Sequence, residues 1–101
     1  MPEPKHPRDF IRHVVSFTAK DPADLPKIIE GLKILGGIPG VQNFDVAQSS
    51  NTDPLTDRVD VVVYGEFVDE AALTAYRAHP LYQESIRRVR PLRDTRVAAD
   101  F

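Results

Sequence analysis

Residues 58–82 read RVDVVVYGEFVDEAALTAYRAHPLY, and this stretch carries the strongest structural signals in the chain. Residues 58–68 alternate two sets of side chains, as a β-strand does with its two faces. One face is apolar throughout, whereas the other places Val62 and Tyr64 between two acidic residues. The pattern predicts a strand that buries one face and leaves apolar side chains on the other.

The second half of this stretch predicts a helix that breaks at a proline. Asp69 is suited to cap a helix that begins at about Glu70. The Pro80 ring opposes continuation of the helix and biases His79 away from helical angles. We therefore expect one helix up to the His-Pro pair and a second helical segment from Pro80 to about Arg88.

The rest of the chain supplies the remaining elements of an α+β fold. Alternation predicts strands over 11–17, 41–48 and 92–101, and a stripe of apolar residues at helical spacing predicts a helix over 24–35. The order is then strand, helix, strand, strand, helix, strand. This order predicts a ferredoxin-like β-α-β-β-α-β fold, an antiparallel sheet with the helices on one face.

The uncovered sheet face predicts self-association. Val14, Val62 and Tyr64 would face water in a monomer of this fold. Burying each such side chain is worth roughly 1.5–3 kcal/mol, and a two-fold dimer counts every residue twice. We expect a homodimer through the open sheet face, with the two sheets facing each other as a dimeric α+β barrel.

Composition limits the partners. The chain has 101 residues, which suits one domain, and a net charge of 13 − 15 = −2, which gives no broad positive field for nucleic acid. It has no cysteine and no apolar run long enough for a membrane span. We expect no nucleic-acid partner, no membrane partner and a cytoplasmic location, with residues 1–9 as a flexible, proline-rich tail.

Metal and cofactor sites are not expected. Asp53, Asp57 and Asp60 lie in and beside a predicted loop, but their spacing is not diagnostic of a cation site. No glycine-rich phosphate loop is present. The basic residues between Arg87 and Arg96 alternate with acidic ones, so we expect solvated ion pairs there.

Four short segments, in order along the chain, are familiar as a set. Residues 11–17 read IRHVVSF, 38–41 read IPGV, 64–67 read YGEF and 75–80 read AYRAHP. Together they resemble the stress-responsive A/B barrel (Dabb) family, and the similarity covers residues 10–101, which we take as one such domain. The resemblance implies a dimeric α+β barrel. The functions of the family range from stress-associated plant proteins to the plant olivetolic acid cyclase.

The resemblance also points to candidate site residues. Similarity to the cyclase matches Tyr76 to a tyrosine that does acid–base work in a cavity between helices and sheet, and it matches His79 and His13 to histidines of the family. The catalytic histidine position is occupied here by Tyr82. Because an unperturbed tyrosine titrates at about 10 and a histidine at about 6.5, Tyr82 is a poor substitute as a general base at neutral pH.

Each candidate also has a purely structural interpretation. His13 is either a buried neutral histidine or a polar group of a pocket, Tyr76 either packs in the core or lines that pocket, and His79 either caps the broken helix or acts in catalysis. The candidate catalytic residues are Tyr76 and His79. The candidate ligand-binding residues are His13, Val15, Tyr76, His79 and Tyr82.

Three functions remain open from the sequence. The first is a homodimer with a cavity for a small apolar or aromatic molecule, and we rank it above catalysis. The second is a cofactor-free lyase, cyclase or monooxygenase-like enzyme that uses Tyr76 and His79. The third is a structural, stress-associated oligomer without a site, which a space filled by side chains between helices and sheet would favour.

Overall fold

A computed structural model describes residues 10–101, and in this range a four-stranded antiparallel sheet is covered on one face by three α-helices. The predicted tail, residues 1–9, lies outside the described residues. The elements are β1 (Ile11–Ala19), α1 (Leu25–Lys33), β2 (Gln42–Gln48), β3 (Val61–Phe67), α2 (Glu70–Ala78), α3 (Pro80–Val89) and β4 (Arg93–Asp100). The predicted α+β fold and order of elements are confirmed, and the two helical segments predicted before and after the His-Pro pair are present as α2 and α3.

The break between α2 and α3 arises from local chemistry. Asp69 caps α2 by accepting a hydrogen bond of 2.8 Å from the backbone N–H of Ala72. His79 adopts extended angles (φ −73°, ψ 144°), and Pro80 is the first residue of α3. A proline is well tolerated at that position because its missing N–H would have no intrahelical partner. The His-Pro pair therefore turns α3 relative to α2.

The sheet order β2-β3-β1-β4 places β1 at the centre, between β3 and β4. In this register His13 lies opposite Gly65 of β3 on one side and opposite Asp100 of β4 on the other. Directly opposed residues of antiparallel strands project to the same face of the sheet. The register thus brings a carboxylate from the end of the chain beside an imidazole near its beginning.

Packing of helices on one sheet face forms the core. Alternate residues of β1 from His13 onward and of β3 point under the helices and are buried, while the residues between them are partly covered, except Thr18, which is also buried. The core consists of Val15, Phe17, Ala19, Ile28, Leu32, Leu35, Ile38, Val61, Val63, Phe67, Leu73, Tyr76 and Val89.

The opposite sheet face carries the apolar side chains that the sequence predicts. Val14 pairs with Tyr64 of β3 and Ala99 of β4, and Val62 pairs with Ala47 of β2. These side chains alternate with the buried ones, and Val97, on the same face of β4, is 67% exposed. None of the helices in residues 10–101 is long and apolar enough to cross a membrane.

Candidate functional site

A cavity of about 420 Å³ lies between the helix-covered face of the sheet and α3. Its apolar wall is formed by Val15, Phe17, Leu32, Leu35, Val63, Ile86, Val89 and Ala98. Its polar wall is formed by His13, Tyr76, Tyr82, Ser85 and four arginines. The cavity therefore brings together four of the five ligand-binding residues predicted from the sequence.

His13 is held at the cavity by a network that ends in β4. Its side chain is buried, and Nδ1 donates a hydrogen bond of 2.5 Å to Oδ1 of Asp100. The second oxygen of Asp100 accepts from Nη2 of Arg77 at 2.9 Å. Because Nδ1 is occupied, Nε2 is the ring nitrogen left for the cavity. Nε2 makes no hydrogen bond to any of residues 10–101.

The environment of Asp100 keeps its carboxyl ionised. Desolvation by burial acts to raise its pKa, but the hydrogen bonds and charges of His13 and Arg77 outweigh desolvation, so the pKa of Asp100 is lowered. An ionised carboxylate fixes the imidazole as the Nδ1–H tautomer. His13 thus presents an acceptor nitrogen to the cavity when it is neutral.

Tyr76 forms the inner end of the cavity. It is 1% exposed and packs edge-on against the rings of His13, Phe67 and Tyr82, with centroid distances of 6.0, 4.7 and 5.3 Å. Its hydroxyl makes no hydrogen bond to any of residues 10–101, and it opens to the cavity, since Nε of Arg12 is the one fully enclosed side-chain N or O atom without a partner in that range. Burial, followed by the neighbouring Tyr82, raises the pKa of Tyr76, so the phenol keeps its proton and can donate a hydrogen bond.

Ser85 is a site residue that the sequence analysis missed. It is 3% exposed, it lines the cavity, and its hydroxyl has no hydrogen-bond partner within the described part of the chain. The available signal was position, because Ser85 lies on the face of α3 that also carries Tyr82, Ile86 and Val89. Helical spacing places residues three and four apart on one face.

His79 lies outside the cavity lining. Its Nδ1 accepts a hydrogen bond of 3.1 Å from the backbone N–H of Leu81 and thereby caps α3. This geometry matches the capping interpretation of His79. The predicted pair Tyr76 and His79 therefore does not share the cavity, whereas Tyr76 and His13 do.

The arginines divide into two groups, which the sequence analysis did not anticipate. Arg87 and Arg88 pair with Glu84 on the outer face of α3, as expected for solvated ion pairs. Arg90, Arg93 and Arg96 instead line the cavity. Within residues 10–101, the guanidinium groups of these three make a single hydrogen bond, a long one of 3.4 Å from Nη2 of Arg96 to the Tyr82 hydroxyl.

Replacing Asp100 by asparagine should lower the free energy of unfolding at neutral pH. It should also make that free energy depend less on pH in the acidic range. Because the pKa of Asp100 is lowered in the folded protein, its contribution is present above the ordinary carboxyl range and is lost as the pH falls through the folded value. We expect the free energy of unfolding to fall by about 1–2 kcal/mol in Asp100→Asn. Hydrogen bonds to charged groups contribute about 1.5–3 kcal/mol, and we discount this figure because the carboxylate is partly solvated. Urea unfolding across acidic pH measures both effects.

The matched control is Asp94→Asn, which removes an exposed carboxylate from the same strand. It should leave the free energy of unfolding nearly unchanged. An equal loss in Asp94→Asn and Asp100→Asn would show that net charge, and not the network with His13, explains the result.

The fold and cavity define a class: small ferredoxin-like α+β domains with an open sheet face and a partly polar cavity under the helices. The chain belongs to the Dabb family, the stress responsive A/B barrel domain, whose family model matches residues 11–101. The resemblance inferred from the four short segments is thus confirmed. A comparison with curated proteins finds none that matches this chain.

Solved structures agree with the family assignment. A Dabb family protein with a ferredoxin-like fold from Mesorhizobium loti is 29% identical, with a TM-score of 0.79 over 93% of this chain and 96% of that one. A dimeric ferredoxin-like protein of unknown function from Thermobifida fusca is 25% identical, with a TM-score of 0.78 over 91% and 89% of the two chains. SnoaB, a cofactor-independent oxygenase from Streptomyces nogalater, is 19% identical, with a TM-score of 0.70 over 93% and 92%.

Proposed function

We propose that this chain is a homodimeric binding protein whose cavity takes up a small molecule with an apolar or aromatic body. One observation carries the proposal: His13, Tyr76 and Ser85 are each at least 97% buried, and each turns a polar atom without a partner among residues 10–101 toward one cavity. Such groups on apolar walls are typical of small-molecule sites.

These polar atoms line the cavity and make no hydrogen bond to any of residues 10–101. They are therefore available to a ligand, and a hydrogen bond from a ligand to each of them contributes about 0.5–1.5 kcal/mol to binding. The open space also counts against a purely structural oligomer, for which we expected side chains to fill the region between helices and sheet.

The homodimer is proposed through the open sheet face. Val14, Val62, Tyr64 and Val97 form a mostly apolar patch on that face, and the similar protein from T. fusca is described as dimeric. Because the cavity lies on the other side of the sheet, each protomer keeps its own site. A cytoplasmic location stays a prediction from the sequence.

Calorimetric titration with 2-naphthamide, a neutral two-ring probe, tests the binding function. We expect saturable binding to the wild-type protein and its loss in Ser85→Leu, which places a bulkier apolar side chain in the cavity. Gln83→Leu is the matched control, since Gln83 is exposed on the same helix. Equal binding to Ser85→Leu and Gln83→Leu would count against the cavity as the site.

Cofactor-free acid–base catalysis is a second candidate, favoured by the hydrogen bond from His13 to Asp100. An imidazole oriented by a carboxylate, with Nε2 left for the cavity, is the arrangement of a general base. A protein of the same fold is described as a cofactor-independent oxygenase, which makes the candidate worth testing. The geometry supports His13 with Tyr76, while the pair of Tyr76 and His79 predicted from the sequence stays a proposal with less support.

The base-promoted ring opening of 5-nitrobenzisoxazole tests this candidate without a known substrate. If His13 acts as a base, the protein accelerates the reaction above the buffer rate, and His13→Gln removes the acceleration while His79→Gln retains it. No acceleration, or equal rates in wild type and His13→Gln, would rule out this role. The opposite pattern, loss only in His79→Gln, would favour the pair predicted from the sequence.

A further inference from the structure

Positive charge is concentrated on the cavity wall of a chain that is negative overall. The net charge of the chain is −2, yet among residues 10–101 the lining includes Arg77, Arg90, Arg93 and Arg96 and no aspartate or glutamate. Arg90 and Arg96 are exposed, so they lie where the cavity opens to solvent between α3 and β4. A ligand that enters there passes guanidinium groups first.

Three of these guanidinium groups are not neutralised within the described part of the chain. Arg77 pairs with Asp100 at 2.9 Å, whereas Arg90, Arg93 and Arg96 have no carboxylate within 4.0 Å among residues 10–101. Acidic residues are available nearby, since Glu84 pairs with two other arginines of α3. The fold thus leaves these guanidinium groups without a carboxylate partner at the opening of this cavity.

Like charges on one wall repel each other, and a bound anion relieves that repulsion. Guanidinium groups recognise carboxylates through paired, parallel N–H···O bonds, which are stronger than bonds between neutral groups. The apolar wall formed by Phe17, Leu32 and Val63 accepts only an apolar body. The two walls together fit a molecule with an anionic end and an apolar remainder.

We propose that the cavity is specific for a small organic carboxylate. The apolar body of the ligand lies against the apolar wall. Its carboxylate lies where the cavity opens to solvent between α3 and β4 and is bound by Arg93 and Arg96. The buried Tyr76 hydroxyl and Ser85 hydroxyl, both without partners among residues 10–101, remain for a second polar group deeper in the cavity. This proposal rests on the binding function proposed above and names the chemical class of its ligand.

Titration of the wild-type dimer with three matched probes tests the ligand class. The probes are 2-naphthoate, 2-naphthamide and 2-naphthyl phosphate, which share one ring system. We expect 2-naphthoate to bind about tenfold or more tighter than 2-naphthamide, since a charge-assisted pair replaces a neutral hydrogen bond. The preference for 2-naphthoate over 2-naphthamide should fall as the salt concentration rises, because salt screens charges that are open to solvent.

Substitutions of Arg93 and Arg96 test whether these two arginines cause the preference for 2-naphthoate over 2-naphthamide. In Arg93→Gln/Arg96→Gln, the affinity for 2-naphthoate should fall about tenfold or more, while the affinity for 2-naphthamide changes little. Arg87→Gln, which alters the charge of α3 outside the cavity, is the control and should retain the preference. If the double variant does not fold, Arg90→Gln at the exposed rim serves in its place with the same expectation.

The outcomes separate this proposal from the one on which it rests. Equal affinity for 2-naphthoate and 2-naphthamide, or a preference that survives in the arginine variants, would overturn the carboxylate specificity and leave the binding function intact. Tighter binding of 2-naphthyl phosphate than of 2-naphthoate would replace carboxylate by phosphate as the ligand class. Binding of none of the three probes would overturn both proposals.

Discussion

Val62→Lys should convert the protein from a dimer into a monomer. Val62 lies near the middle of the open sheet face, where it is flanked by Ser16 on β1 and Ala47 on β2. Fully burying an exposed valine is worth roughly 1.5–3 kcal/mol, but Val62 is already half-buried in the monomer, so the loss of valine burial in both copies weakens association by about 1.5–3 kcal/mol. This loss corresponds to about a tenfold to hundredfold rise in the dimer dissociation constant, before the cost of burying two ammonium groups is added.

Sedimentation velocity at micromolar concentration measures this effect. Ala71→Lys is the matched control, because it adds the same charge to an exposed position of α2 on the helical side of the sheet. We expect a dimer for the wild type and for Ala71→Lys, and a monomer for Val62→Lys. A monomeric wild type would contradict the proposed dimer, and a dimeric Val62→Lys would place the interface elsewhere.

Phe67→Ala should cost about 3–5 kcal/mol of folding free energy, a large part of the 5–15 kcal/mol typical of a domain. Phe67 is 1% exposed, and its ring packs edge-on against Tyr76 at 4.7 Å and His13 at 6.2 Å. Its removal leaves a hole directly behind the two rings that form the inner end of the cavity. The variant should therefore lose stability and loosen the site together.

Chemical denaturation measures the free energy of unfolding of Phe67→Ala and of two controls, one in the core and one at the surface. Phe67→Leu retains most of the volume and should cost less than about 1.5 kcal/mol. Leu55→Ala removes a side chain that is 93% exposed and should cost almost nothing. A loss below about 1 kcal/mol in Phe67→Ala would contradict the close packing behind the site.

The sequence predicted those features that depend on local chemistry. Alternation along β1 and β3 and the His-Pro pair between α2 and α3 are visible in short windows, and each of them occurs in the structure. The same periodicities directed His13, Val15, Tyr76 and Tyr82 inward, and the structure brings these four side chains to one cavity. Residues on the buried stripe of a helix or strand are thus assigned by spacing alone.

Features that depend on sheet register could not be predicted. Asp100 is 87 residues from His13 along the chain, and the two meet only because β4 pairs with β1 in one particular register. The predicted elements already placed Arg87 on a helix and Arg93 on a strand, but the cavity that Arg93 lines depends on how α3 packs against the sheet. For His79, capping of α3 competes with a role in the site, and sequence spacing does not distinguish the two.

The distinction between a ligand site and an ordinary core depends on the buried hydroxyls around the cavity. If the Tyr76 and Ser85 hydroxyls are kept for a ligand, the fold gains nothing from them, because they line the cavity and no residue among 10–101 makes a hydrogen bond to either one. Thr18 is the contrasting case, since its buried hydroxyl lies 2.6 Å from the Thr95 hydroxyl and accepts from the Thr95 N–H at 3.0 Å. Removing it should cost about 1–3 kcal/mol.

The free energy of unfolding of Tyr76→Phe/Ser85→Ala, compared with Thr18→Val, is therefore the decisive measurement. A site kept for a ligand predicts that the double variant is as stable as the wild type, within about 0.5 kcal/mol, or more stable, while Thr18→Val is weakened. A loss of more than about 1 kcal/mol for each hydroxyl in the double variant would show that the fold itself uses them, and would contradict the proposed binding site.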